Sequence, residues 1–283
     1  MQQVILQNEP VIRLGFFLAV LALVALMEVV APRRALTVSK LRRWTSNLAI
    51  VFLNSALVRL LFPMAAAGFA GFAAARGWGL FNQSGLPFWA AFLASVVLLD
   101  LAIYLQHVMF HAVPALWRVH RMHHADLDFD VTTGARFHPV EIALSMLIKF
   151  AVIAALGAPA AAVVVFEVLL NATAMFNHGN LRLPLALDRV LRLFVVTPDM
   201  HRVHHSIEDH EVNSNFGFNL ALWDRLLGTY RDQPDAGHEA MTLGIRDYRE
   251  PRLVTDLPGM LALPFIGRVT GYAINRRAWK GGA

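Results

Sequence analysis

Five long apolar stretches organise the chain: residues 11–31, 46–75, 86–112, 140–156 and 160–176. A helix at a soluble surface shows an apolar stripe on one face, whereas a bilayer-spanning helix needs about 20 mainly apolar residues in a row. The pattern predicts an all-α integral membrane fold with four to five transmembrane helices. The second stretch is too long for one straight span, and Pro63 within it bends the helix by removing a backbone donor. The fourth is short and carries Lys149, which fits a re-entrant or tilted segment. The first is read as a retained span rather than a signal peptide. It is long, carries Glu28, and lacks a small-residue cleavage site before its basic flank.

Composition agrees: 57% of the residues are hydrophobic and only 16% charged, against about 25% charged in soluble domains. The net charge of +5 is not a nucleic-acid signature, because the positive residues are placed by topology. Arg33, Arg34, Lys40, Arg42 and Arg43 crowd the first loop, while the loop near 76–85 has only Arg76. The positive-inside rule then puts residues 32–45 in the cytoplasm and the N-terminus outside. The span 86–112 returns to the cytoplasm, the 140–176 hairpin enters and leaves on that side, and everything from about 179 stays there. Residues 1–85 form N-terminal transmembrane helices, 86–231 a domain that holds the remaining spans and the motifs described below, and 232–283 a polar cytoplasmic tail. In that tail "LPGMLALPFI", 257–266, is expected to lie on the membrane surface. The chain has no cysteine, which excludes disulfides, thiolate metal sites and an intrinsic iron–sulfur cluster.

Nine of the twelve histidines form a pattern. His107 and His111 make HxxxH at the end of the third span. His120, His123 and His124 make "HRMHH" eight residues later, His178 ends the fifth span in "FNHGN", and His201, His204 and His205 make "HRVHH". All nine fall at the membrane face assigned to the cytoplasm, an assignment that made no use of histidines. Residues i, i+3 and i+4 share a helical face, so each HxxHH can aim its imidazoles at one point. A lone HxxxH is more often an interfacial pair than a ligand pair; the convergence of four motifs is what argues for metal. One zinc takes at most four protein ligands, so nine imidazoles point to two ions, and ligand type leaves Fe, Zn, Cu and Ni open. His210 and His238 read as loop histidines. His138 in "RFHPVE" is a tenth ligand, a donor behind a ligand, or a loop histidine.

With these residues the chain resembles the fatty acid hydroxylase superfamily, or sterol desaturase family, in its bacterial-type integral-membrane form. The resemblance rests on HxxxH at 107–111, HxxHH at 120–124, "TTGARFHPVE" at 132–141, "NHGN" at 177–180, HxxHH at 201–205 and "NSNFGFNLALWDRLLGTYR" at 213–231. It implies a bacterial inner-membrane enzyme with a histidine-rich helical cap on the cytoplasmic side. It further implies a di-iron centre that uses O₂ to hydroxylate or desaturate a C–H bond of a lipid. The ligands carried over are His107, His111, His120, His123, His124, His178, His201, His204 and His205. Some relatives have a further histidine where this chain has Ala174. With no cysteine and no GxGxxG fingerprint, the two electrons come from an external donor, a ferredoxin or a cytochrome with its reductase.

Carboxylates that orient the ligands follow from spacing. Asp100, Tyr104, His107 and His111 share one helical stripe, as do Glu167, Asn171 and His178, and Asp224 in "LWDRLLGTY" is a third candidate. The bland alternative is that these acids pair with Arg59, Lys149 or each other. Arg121 and Arg202 face away from the metals, toward lipid phosphates or carboxylates, and Phe216, Phe218 and Trp223 are packing residues. Two other classes compete. A zinc membrane hydrolase needs a glutamate base, as in HExxH, that neither HRMHH nor HRVHH supplies. A metal transporter or sensor places its site near the midplane, often between related halves, which these rim histidines and unlike halves do not match.

Overall fold

The computed structural model describes residues 2–269 and is helical throughout, with isolated bridges and no strand among those residues. Five segments are long and apolar enough to cross a membrane. They are α1 (Glu9–Val30), a kinked track of α2 (Lys40–Leu61) and α3 (Ala66–Ala75), α4 (Phe88–Ala112), α6 (Pro139–Leu156) and α7 (Ala160–Asn177). Short helices build a cap at one end: α5 (Pro114–His124), α8 (Leu185–Leu191), α9 (Pro198–His204), α10 (Leu222–Leu226), α11 (Pro251–Thr255) and α12 (Leu257–Ala262). Several cap helices open on proline, whose missing N–H costs nothing at a helix start. Thr197 closes the first turn of α9 by accepting from the Met200 amide at 3.4 Å.

The expected bend at Pro63 is present, and the 46–75 run makes one crossing in two pieces. The Asn54 side chain donates to the Phe137 carbonyl at 2.9 Å, level with the start of α6. Phe62 and Phe69 then both meet Phe150, at centroid distances of 5.5 and 4.4 Å. So α2 runs beside the first half of α6 and α3 beside the second. Ala66, Ala70 and Ala73 are buried on α3, letting its backbone approach its neighbours closely. At the far end a Cβ on Gly79 would stand 2.0 Å from the Gly157 amide nitrogen, so the turn after α3 sits directly on the end of α6. The short fourth stretch is a continuous 18-residue helix, about 27 Å long, rather than a re-entrant loop.

Lys149 explains itself through α7. Its ammonium and the Arg13 guanidinium both bond the Glu167 carboxylate, joining α6, α1 and α7 inside the apolar region. This corrects the expectation that Glu167 stands behind His178. The two share a stripe, but eleven residues put them about 16 Å apart along the axis, and the nearer cations capture the acid.

At the other end of the bundle the ends of α1, α2, α4, α6 and α7 meet the cap. Glu28 accepts from the amides of Val131 (2.7 Å) and Asn180 (2.9 Å), with Lys40 at 3.6 Å. Arg43 is fully buried and holds Asp126 at 2.8 and 2.7 Å and Asp130 as well, which fixes the chain just after α5. The segment 257–266 packs much of its apolar surface on the protein. Met260 and Leu263 are fully buried with Ile50, Trp117, Met122 and Val254, and Arg121 clamps the carbonyls of Leu263 and Ile266. It is a strap across α5, and of its apolar residues Phe265 points outward. The tail beyond 269 lies outside the described residues.

Replacing Glu167 with Gln strands two cations in a low-dielectric region. Removing one partner of a buried pair costs about 3–5 kcal/mol, and the partial exposure of Arg13 argues for the lower end. Thermal unfolding of detergent-purified E167Q is expected to begin well below the wild-type transition, and adding Lys149→Met should recover part of the loss.

Candidate metal centre

The cap folds nine histidines into two touching groups. One offers ligand nitrogens from His107, His111, His120, His124 and His204, the other from His123, His178, His201 and His205. Within each group the ligand atoms lie within 4.8 Å of one another, and all nine residues are buried. The groups abut where the His124 and His205 rings stack at 4.5 Å.

Each HxxHH is divided between the groups, which corrects the expectation that each aims at one point. On α5, His120 and His124 are one turn apart and serve the first group, while His123, rotated by about 100° from His124, serves the second. On α9 the order is reversed: His201 and His205 serve the second group and His204 the first. Each motif therefore bridges both sites. The rest of the first group comes from the i, i+4 pair His107 and His111 at the end of α4, and His178 follows the end of α7.

The ring nitrogens test whether a cation fits. Nδ1 of His107 donates to the Phe216 carbonyl at 2.7 Å, of His204 to Ser214 at 2.7 Å, of His178 to Ala174 at 2.7 Å and of His123 to Arg136 at 3.2 Å. Nδ1 of His120 meets the Glu141 carboxylate at 2.7 Å. A neutral imidazole with its proton on Nδ1 presents a lone pair at Nε2. Those Nε2 atoms face one another: His107 and His120 at 3.1 Å, His107 and His204 at 3.0 Å, His123 and His178 at 3.2 Å. Burial pushes protonation of His123, His124, His201, His204 and His205 well below the usual histidine range, with the neighbouring imidazoles adding to it, and burial takes His178 down to about 3. Facing lone pairs with no proton between them repel. Two nitrogens each 2.0–2.1 Å from a shared ion stand about 2.9–3.4 Å apart, which brackets the observed separations. The residues therefore fit two metal ions, one held by five imidazoles and one by four.

Glu141, in the first turn of α6, is the acid that sequence reasoning missed. It lies in "RFHPVE", and a carboxylate at the start of an apolar run was the available signal. The acids proposed from spacing do not touch the ligands. Asp100 accepts from the Trp223 indole at 2.8 Å and the Leu220 amide at 3.3 Å. Asp224 accepts from the amides of Phe216 (2.8 Å) and Gly217 (2.9 Å) and from the Thr229 hydroxyl (2.7 Å). It thus stands one peptide behind the carbonyl that orients His107, and burial raises its carboxyl. His138 is in neither group: its Nδ1 accepts from the Val140 amide at 3.1 Å, capping α6, and its Nε2 reaches the Leu261 carbonyl at 3.3 Å. Arg121 and Arg202 are fully buried and meet no lipid phosphate. Arg121 stands over Tyr248, and Arg202 pairs with Asp199 and stands over Phe129. His238 is buried against Gln233, and the exposed His210 pairs with Asp235.

Aromatic rings close the centre. Trp117 meets His111 and His124, Phe137 stacks on His123 at 4.5 Å, Phe129 stacks on His178 at 5.3 Å, and Phe216 meets His107, His111 and His204. Phe218, expected only to pack, touches one histidine of each group, His107 at 4.9 Å and His201 at 5.8 Å.

The fatty acid hydroxylase family profile matches residues 92–229, the stretch that contains all nine histidines and Glu141. The ornithine lipid hydroxylase OlsE of Rhizobium tropici is 30% identical over 49% of this chain and 41% of its own length. The alkylglycerol monooxygenase of Danio rerio is 29% identical over 56% of this chain and 35% of its own, and the fatty acid hydroxylase vlmA of a Lecanicillium species 28% over 51% and 43%. The matches span less than half the length of these relatives. No solved structure matches significantly. Through the segment that builds both histidine groups, the chain is similar to the fatty acid hydroxylase family.

Proposed function

We propose that the protein is a membrane-bound non-haem di-iron oxygenase that hydroxylates a C–H bond of a lipid, with O₂ as co-substrate and two electrons from an external donor. The observation that carries this reading is the pair of buried groups of facing imidazole lone pairs at the end of a membrane-spanning bundle. His107, His111, His120, His124 and His204 would hold one iron, and His123, His178, His201 and His205 the other. When bound, the two irons supply the activation of O₂ that lets an unactivated C–H bond be oxidised.

The chain's own residues do the rest. Carbonyls of Phe216, Ser214, Ala174 and Arg136 keep protons on Nδ1, so every Nε2 they control stays free to bind metal. Glu141 holds His120 from behind through Nδ1 and fixes the direction in which its Nε2 points. Trp117, Phe129, Phe137, Phe216 and Phe218 exclude water and leave an apolar surface suited to an alkyl chain. The relatives are named as hydroxylases and monooxygenases, two of them for lipids with a polar head, which favours hydroxylation over desaturation here. A zinc hydrolase fits less well. Five ligands exceed a tetrahedral site, and Glu141 sits behind a ring, on the side away from the ion, where it cannot serve as a base. A transporter must release its ion, and this one would be enclosed. We place the cap on the cytoplasmic side of a bacterial inner membrane, from the basic 32–45 loop, and read the donor as a ferredoxin or a cytochrome with its reductase.

Anaerobic purification with ferrous iron is expected to give two irons per chain and O₂ consumption that requires a reductant; one tightly held zinc and no O₂ chemistry overturn the reading. Comparative lipidomics of cells with and without the gene should find a lipid heavier by one oxygen. Glu141→Ala should weaken metal binding about 10–100-fold, measured by chelator competition, with Glu141→Gln intermediate. Gly134→Ala tests the second site separately. A Cβ there would lie 2.4 Å from the Ala174 carbonyl oxygen that orients His178, so iron content should fall from two toward one.

A further inference from the structure

Outside the five spans, the largest group of exposed apolar side chains lies on the cap. Leu185, Leu187, Val190 and Phe194 on and after α8, and Leu222 and Leu226 on α10, are 42–66% exposed. The two helices form one surface, since the Ala221 amide donates to the Phe194 carbonyl at 3.1 Å and Arg225 donates to the Arg192 carbonyl at 3.0 Å. An apolar patch of this kind on a water-facing surface marks a contact with something else.

Its position identifies the partner. Trp223 and the Leu220 amide bond Asp100 on α4, seven residues before His107 and so about 10 Å further along the helix, away from the cap. Thr229 bonds the Tyr104 hydroxyl at 2.8 Å. On the other side Asn219 bonds Thr173, and Asn177 donates to the Phe218 carbonyl at 2.8 Å, both on the last turns of α7. The chain from 216 to 229 therefore descends along α4 and α7 to a level inside their apolar stretches. In those same stretches apolar side chains of the spans also face outward, Leu105 on α4 and Leu169 on α7. Arg189, exposed on α8, flanks it as basic residues do beside anionic lipid headgroups, while Arg182 nearby in the chain pairs with Glu239 at 2.6 Å.

We propose that α8, α10 and their flanking residues form a monotopic face inserted into the bilayer leaflet on the histidine side, with lipid acyl chains as its partner. The cap does not stand clear of the membrane; one side of it is sunk into the leaflet. The inserted chain carries Phe218, which touches a histidine of each group, so this face is continuous with the wall of the metal centre. The inference does not depend on which metal is bound or on the reaction proposed above.

The absence of cysteine allows a direct test in the full chain. Phe194→Cys and Leu226→Cys, each labelled with bimane and reconstituted in nanodiscs, are compared with His210→Cys on the exposed polar side of the cap. Labels at 194 and 226 should be quenched by phospholipid carrying a nitroxide at acyl carbon 5, and at least threefold less by aqueous iodide than the label at 210. Iodide access equal to that at 210 overturns the proposal. Protection from iodide without quenching by the lipid nitroxide also overturns it, and assigns the face to a second copy of the chain. Unchanged metal content in each variant shows that the cap has folded.

Discussion

Neutral imidazoles with lone pairs aimed at one another across about 3 Å are the constraint on which the cap is built. Such an arrangement is unfavourable without a cation, and five of the rings, His107, His120, His123, His178 and His204, are held in it from behind. The holders are mostly backbone carbonyls, at Ala174, Arg136, Ser214 and Phe216, drawn from three separate parts of the chain. Carbonyls do not titrate, so they set the tautomer at any pH. Each must itself be fixed, and this accounts for the next layer of buried charge. Arg136 has its own guanidinium on the Met122 and Val254 carbonyls, Asp224 holds the peptide of Phe216, and Asn215, the one residue other than glycine with positive φ among those described, bonds the Met200 and Arg231 carbonyls beside Ser214.

The charges in the spans serve two different purposes. Asp100 secures the 216–224 chain to α4, whereas the Arg13–Glu167–Lys149 group ties three helices together where apolar surfaces alone give no preference between neighbours. In water such pairs would contribute little; in hydrocarbon an unpaired charge is costly enough that the pairing fixes which helices are adjacent. Close contacts of small residues complete the bundle: Ala66, Ala67, Ala70 and Ala73 of α3 lie buried, and Gly134 fits under α7 where no side chain has room.

Division of each HxxHH motif between two sites explains the near-repeat in the sequence. An i, i+4 pair plus one residue at i+3 sends two rings to one group and one to the other, and the second motif does the reverse. The arginine common to both motifs occupies the position after the leading histidine, rotated by about 100° away from it. There it becomes a buried clamp: Arg121 holds the strap at 263–266, and Arg202 holds Asp199 and the Gly179 carbonyl next to His178.

Local periodicity carried much of this from the sequence. The apolar runs specify the spans because a bilayer demands a length, Pro63 marks its break because proline lacks a donor, and the nine histidines stand out because their spacing repeats. Depth and long-range pairing were not legible. A helical stripe reports direction but not distance along the axis, so Glu167 pointed toward His178 yet met Lys149, and Asp100 pointed toward His107 yet met Trp223. Glu141 reaches His120 across a turn whose path no periodicity encodes, and the strap at 257–266 looked membrane-seeking until α5 supplied a protein surface for it. The division of the histidines into five and four was likewise decided only in three dimensions, because rings adjacent on one helix are assigned to different groups by what the other helices place opposite them.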